Sequence, residues 1–366
     1  MKLFYIVPFS LILSGCGIHG GDSNSPQADH GRNLVRQISA GLNYICGITL
    51  DNIPKCLGED NNDGQQGNGT TNANYSTVQV QNLANASFVS ASITNTCFLN
   101  FGNVYCSGDN TWGQLGNGTF TNSTTPVQVN GIKNIKQIAV SSGDVCALRD
   151  DGVVFCWGLS TDYSDPDNEK DSNIPVKLNS NIHFTSLSDG YNSEFCAVSL
   201  DKNVYCWLPG YLFLDKIDGL DNIKSVTSGA SFSCALNQSG KAFCWGADES
   251  GQLGDGKNET EGRPVPVLSV KNFSSIFSSQ GTTCAITTDA KTYCWGLGTD
   301  GQLGNGSYSN SNVPVQVNTA AHFTQIAGSL KTTYAIDQNG NTYVWGKRFL
   351  TSSLAQIDPS PVELDF

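Results

Sequence analysis

The chain has 366 residues, 39% of them hydrophobic and only 14% charged, with 39 glycines; that length fits one large all-β domain or two ordinary ones and can bury a sizeable core. A formal net charge of −12, with no run of Lys or Arg interleaved with aromatics, leaves no basic surface for phosphate backbones and argues against nucleic acid as a partner.

The first sixteen residues, MKLFYIVPFSLILSGC, set one cation, Lys2, before an apolar stretch from Leu3 to Leu13, then small residues and a cysteine. This is the layout of an export signal, too short for a spanning helix. Leu13-Ser14-Gly15-Cys16 resembles the bacterial lipobox. The resemblance implies cleavage after a signal peptide at 1–15 and a diacylglycerol on the Cys16 sulfur, with palmitate-type chains contributing about 0.8 kcal/mol per buried CH₂ to membrane anchoring. Gly17, where an Asp would imply inner-membrane retention, points to outer-membrane sorting. The alternative is an ordinary secretory signal with a coincidental cysteine. Residues 16–33 then form the lipidated cysteine and a tether rich in Gly, Ser, Asn and Pro, with too little apolar surface to order itself. As a coil it reaches roughly 20–25 Å.

From 34 to 366 the chain repeats itself. Residues 146–158, CALRDDGVVFCWG, are the clearest copy of a hairpin whose second cysteine recurs at Cys56, Cys106, Cys156, Cys206, Cys244 and Cys294, with Val344 in the same place of a last copy, YAIDQNGNTYVWG. Successive spacings of 50, 50, 50, 38, 50 and 50 give seven units. Each unit reads as a run such as IKQIAV, the cysteine hairpin, a Gly-rich excursion and a segment such as PVQV, which makes about four short strands. Seven such units predict an all-β fold, a seven-bladed β-propeller. The phase of the ends suggests how it closes: the C-terminal PVELDF is expected to complete the first blade and so remove a sheet edge.

Folding CALRDDGVVFCWG about Asp151, with Gly152 in the left-handed position, sets Cys146 opposite Cys156 at a separation that a disulfide accepts. The same arithmetic pairs Cys46 with Cys56, Cys196 with Cys206, Cys234 with Cys244 and Cys284 with Cys294. Cys97 and Cys106, one residue closer, imply a tighter loop at Phe101-Gly102. Lys202 and Ala290 suit the left-handed loop position less well than Gly. Metal binding is the rival use of these cysteines, but no CxxC or paired Cys/His spacing occurs.

The excursions carry the most specific string: GQLGNG at 113–118, GQLGDG at 251–256, GQLGNG at 301–306 and the variant GQQGNG at 64–69. With the preceding Cys-Trp-Gly and the following Pro-Val, this resembles the regulator of chromosome condensation repeat family over roughly 34–366. The resemblance implies a seven-bladed propeller, and bacterial members often carry hairpin cysteines. Leu115, Leu253 and Leu303 are expected to anchor the excursions between blades. The family's histidine two residues before the first cysteine is replaced in every copy, by Tyr44, Asn95, Asp144, Glu194, Phe232, Thr282 and Thr332. The eukaryotic prototype exchanges nucleotide on a small GTPase and binds chromatin, roles that a lipobox and an acidic composition argue against.

Signals for chemistry are weak. His19 and His30 lie in the tether, and His183 and His322 occupy equivalent places in units four and seven, too far apart to share a metal. There is no nucleophile elbow, HExxH or phosphate loop. The acidic stretches Thr161–Asp171 and Glu59–Gly64 lack the ordering of a calcium loop and read as solvated turns. Unit four departs most: after Cys206 comes WLPGYLFLDKI, twelve residues short, with Trp207, Tyr211, Leu212 and Phe213 where the excursion belongs. These four are candidate partner-binding residues; the alternative is that they fill interblade space. The reading is therefore an exported, lipid-anchored propeller serving as a non-catalytic platform for an unknown protein partner, with no cofactor. A glycan-active envelope enzyme with carboxylates around the central channel, or a purely structural envelope component, is the alternative.

Overall fold

The computed structural model describes residues 33–159, 171–188, 194–208, 214–351 and 354–366. The described residues from Asn33 to Phe366 form 28 strands in seven four-stranded antiparallel sheets, and no helix. The sheets span 35–79, 88–128, 135–177, 184–216, 223–266, 273–316 and 323–364, and each runs in simple sequence order. They are the blades of a seven-bladed propeller, here numbered 1 to 7.

Burial follows strand order within a blade. First strands from every blade line one central channel. Second strands, such as Tyr44–Thr49 and Thr282–Thr287, are buried end to end. Fourth strands, such as Ser311–Gln316, are half-buried along their length with only the last residue exposed, as befits an outer edge. Apolar clusters therefore sit between blades: Trp157 and Leu115 of neighbouring blades share one, Trp295 and Leu253 another, Trp345 and Leu303 a third.

Every expected cysteine pair faces its partner in register, and six disulfides form: 46–56, 97–106, 146–156, 196–206, 234–244 and 284–294, with Cα–Cα separations of 4.0–4.1 Å. Blade 7 keeps the same register with Tyr334 opposite Val344. The Gly after Cys156-Trp157 is dictated by crowding: a Cβ on Gly158 would lie 2.2 Å from the Gly143 carbonyl, and its φ of 115° is closed to other residues. Lys202 and Ala290 take φ of 62° and 61°, so their hairpins turn as the Gly152 hairpin does despite the side chains.

Ring closure differs from the expectation. The last strand, Leu354–Leu364, pairs with Thr342–Thr351 inside blade 7, and blade 1 already holds its own fourth strand, Asn74–Gln79. No strand is exchanged between the ends; each blade is one contiguous stretch of chain. The ring closes with the contact used elsewhere, in which a hairpin loop accepts a hydrogen bond from the start of the next blade. Val35 N–H donates to Gly340 O at 2.8 Å, as Ile135 does to Gly102, Phe184 to Gly152 and Phe273 to Gly240. Asn33 adds a hydrogen bond from Nδ2 to Phe366 O, 2.6 Å, across the same seam.

Candidate functional site

The first strands that meet around the axis enclose a channel of about 180 Å³ lined by Ser, Gln, Ala, Gly, Phe and aliphatic side chains. Several of its polar side chains join neighbouring blades. Gln37 straddles the Val89 peptide of blade 2, Nε2 donating to Val89 O and Oε1 accepting from Val89 N–H. Gln137 does the same to Leu187 and Gln325 to Ile38, so one such clamp closes the ring. A hydroxyl two residues on adds a joint whether or not the Gln is present: Ser39, Ser90, Ser188 and Thr227 accept from Ala91, Val140, Ser228 and Ser278 N–H. In blade 6 the position is Phe277, which packs against blade 7 instead. Among the described residues lining the channel none is ionisable, so they supply no carboxylate pair for glycoside hydrolysis.

The excursions have a joining role at the outer end of the same interfaces. The Gln114 main-chain carbonyl accepts from the Trp157 indole N–H of the next blade at 2.9 Å; Gln252 does so for Trp295 at 3.0 Å and Gln302 for Trp345 at 2.8 Å. The latter two carbonyls also accept from the Thr283 and Thr333 hydroxyls, both at 2.9 Å. Leu115, Leu253 and Leu303 are buried completely beside these indoles, as expected of anchors. The second Gly of each GQLG cannot be replaced: a Cβ on Gly254 would stand 2.5 Å from Trp295 Nε1. Inside the turn an Asn acts as hub, with Asn110 Oδ1 accepting from Leu115 N–H and Nδ2 donating to the Thr119 and Thr121 carbonyls. The Glu59–Gly64 stretch contains the equivalent hub, Asn61, which accounts for it as turn chemistry.

Blade 4 breaks this scheme. Its third and fourth strands, Val204–Trp207 and Asp215–Lys216, are joined by seven residues, against fourteen between Asn103–Gly108 and Ser123–Gln128 of blade 2. Trp207 is 3% exposed and packs against Phe184 and Phe195, with ring centroids 6.0 and 6.1 Å away. It is a core residue and not a rim contact, because it occupies the register of Trp157 and Trp295. Tyr211, Leu212 and Phe213 lie outside the described residues. At the blade 4/5 boundary the described residues border a cleft of about 220 Å³, lined by Glu194, Leu208, Phe232, Ser233 and Trp245 among others. Burial pushes the Glu194 carboxyl up, opposed by a hydrogen bond from the Ser233 hydroxyl at 3.3 Å and reinforced by Asp215.

Other ionisable groups are dispersed. His183 and His322 are exposed, each placing Nδ1 against a main-chain oxygen of the preceding hairpin loop, Asp151 or Ala290. Among the described residues no three His, Cys, Asp or Glu come together as metal ligands. Asp248, the blade 5 counterpart of the Asn hubs, is pushed up to about 6, by burial first and then by Asp255 and Glu249. At the positions of the family histidine, Thr282 and Thr332 donate to the Leu297 and Lys347 carbonyls, and the Tyr44 hydroxyl engages Asn95 O and Thr96. Cys16, His19, His30 and most of Thr161–Asp171 lie outside the described residues.

The pattern of the regulator of chromosome condensation repeat matches residues 102–148, 239–286 and 289–336, and a second pattern of the same repeat matches 223–252. The chain carries repeats of that family. Each long match begins at a hairpin loop and ends in the second strand of the following blade, so the family repeat frames the joint between blades, excursion included. Among solved structures, human WBSCR16 is similar with a TM-score of 0.72 at 19% identity, over 84% of this chain and 88% of its own. Prp20p of Saccharomyces cerevisiae, described with its binding to Gsp1p and histones, gives 0.72 at 19% over 91% and 87%. Yeast RCC1 (Prp20) bound to Kap60 gives 0.71 at 18% over 95% and 91%. At these identities the likeness is one of fold. No curated protein sequence is significantly similar to the chain.

Proposed function

We propose that this regulator of chromosome condensation repeat protein is an exported lipoprotein, anchored through Cys16 with outer-membrane placement favoured, whose propeller is a rigid, non-catalytic platform for another protein. The observation that carries the platform reading is the division of labour among its polar groups. Gln and hydroxyl side chains in the channel and main-chain carbonyls under the excursions join blades, while the surface carries large apolar side chains: Phe101 and Leu200 at hairpin tips, Trp112 and Phe120 on the blade 2 excursion. Exposed aromatic side chains such as Phe101, Trp112 and Phe120 are the type that anchors a partner when it buries them. Prp20p, with the same fold, binds Gsp1p and histones, and yeast RCC1 binds Kap60, which gives precedent for protein recognition on this architecture. The six disulfides favour an oxidising compartment, in keeping with export.

Affinity capture with the full chain from envelope and host extracts tests the platform. A protein lost when Phe101 and Leu200 are changed to Ser is the expected result; recovery of a glycan or small ligand alone contradicts it. For the anchor, metabolic labelling with a fatty-acid analogue should mark the wild type and not Cys16→Ser.

A further inference from the structure

The outer edge of a blade is a strand with one row of main-chain groups left unpaired, and this chain blunts that edge in two ways. In blades 2, 3, 5, 6 and 7 a proline stands at the same place of the outer strand: Pro126, Pro175, Pro264, Pro314 and Pro361. Val129 N–H donates inward to Val104 O, and amides alternate along a strand, so Pro126 takes an outward position and removes the donor there. Excursions cover the other end of the edge. Gly69, Gly118, Gly256 and Gly306 N–H each reach across to the next blade's outer strand, at the carbonyls of Thr124, Asn173, Asn312 and Pro359, over 2.7–2.9 Å.

Blade 1 has neither device. Its outer strand, Asn74–Gln79, carries Thr77 at the proline place and Tyr75 at the place of Asn312. Val80 N–H donates inward to Pro54 O at 3.1 Å, so the Thr77 and Gln79 amides face outward. Blade 7, which precedes blade 1 round the ring, has no excursion; its last two strands run on as a ribbon in which Arg348 opposes Gln356. Among the described residues nothing donates to Tyr75 O or accepts from the outward amides. The strand is uncharged, free of proline and rich in β-prone residues. Blade 4 also lacks the proline, but its outer strand, Asp215–Lys216, is only 2 residues long.

We infer that a partner protein adds an extended segment to blade 1 along Asn74–Gln79, pairing with the outward main chain of Tyr75, Thr77 and Gln79 and extending that four-stranded sheet. This rests on the platform reading and gives the form in which one part of the partner is recognised. Strand addition draws its affinity from main-chain hydrogen bonds and its selectivity from the facing side chains. Those of Asn74–Gln79 are neutral, and Glu59 and Lys347, which line a pocket with Tyr75, are opposite in sign. The segment that fits is therefore uncharged, proline-free and rich in Thr and Val. A second copy of the chain would bring together two molecules of net charge −12, which disfavours it as the occupant.

The test uses the full chain and a capped peptide, Thr-Val-Gln-Val-Thr-Val, with hydrogen exchange resolved by residue. Saturating peptide should slow exchange at Thr77 and Gln79 at least about ten-fold and leave Val78, bonded inward, unchanged. Thr77→Pro copies the native residue of the blade 2 strand; it should keep the melting temperature and weaken the peptide at least about ten-fold, through the lost donor and the ring. Ser76→Arg copies Arg263 of blade 5 and should weaken it several-fold, which supplies a second variant if Thr77→Pro unfolds. No protection at millimolar peptide overturns the inference, as does binding that both variants retain. So does self-association of the chain that protects Thr77 without peptide, which would make a second copy the occupant. If a partner captured through Phe101 and Leu200 is held equally by wild type and Thr77→Pro, the platform stands and the strand assignment fails.

Discussion

In the blade 1 and blade 2 turns, Asn61 and Asn110 use one amide in two directions, accepting from a main-chain N–H and donating to two main-chain carbonyls. Asp248 in blade 5 keeps only the first half: Oδ1 accepts from Leu253 N–H at 2.8 Å, while the buried Oδ2 has no hydrogen-bond partner. A protonated carboxyl restores one donor, so the folded protein holds the proton to about pH 6 against 3.8 for the free group. A raised acid pKa means stability that is fully present below about pH 4 and lost as pH rises through 6. Asp248→Asn should therefore raise stability above pH 6 by about 1–3 kcal/mol and leave it little changed near pH 4, seen as melting temperatures that diverge with pH. The left-handed hairpin residues give a second residue-scale prediction. Lys202→Gly and Ala290→Gly should each stabilise by about 0.5–1 kcal/mol, because removing the Cβ penalty outweighs the added freedom of the unfolded chain.

At the scale of elements, the hairpin and the excursion divide the work. The hairpin brings its own covalent closure: a loop of about ten residues confers roughly 2–3 kcal/mol in the chain-entropy picture, and Cys146→Ala with Cys156→Ala should lose about that in a denaturant titration. Blade 7 shows that the register does not depend on the bridge, since Tyr334 and Val344 oppose each other as the cysteines do. Replacing both with Cys should form a seventh disulfide, detected as protection from alkylation without reductant. The excursion's stability is lent by the next blade. Gly254→Ala would drive a methyl into Trp295 at a φ of 69° and should cost about 2–4 kcal/mol, read as a lower melting temperature with loss of near-ultraviolet Trp signal.

For the molecule as a whole, blade number and cysteine pairing were legible because both are periodic: equal spacings count sheets, and paired cysteines about a turn residue fix register. Strand phase was not, because a period has no intrinsic starting point. Whether PVELDF ends one blade or begins another depends on its pairing with Thr342–Val344, and that is a tertiary fact. The Gln37, Gln137 and Gln325 clamps and the Gln carbonyl caps on the indoles were likewise invisible, since a main-chain acceptor leaves no mark in side-chain identity. Trp207 belongs to the core by its alignment with the other Cys-Trp pairs, a register that the unusual sequence after it does not alter.

The central claim is that partners meet the surface of a propeller whose interior is taken up with holding blades together. Site-specific photocrosslinking tests it most directly, with the probe placed in turn at Phe101, Leu200 and Leu208 on the surface and at Ala91 and Ile326 in the channel. The account predicts a protein adduct from the surface positions and none from the channel; adducts confined to the channel, or to a glycan or small molecule, would contradict it.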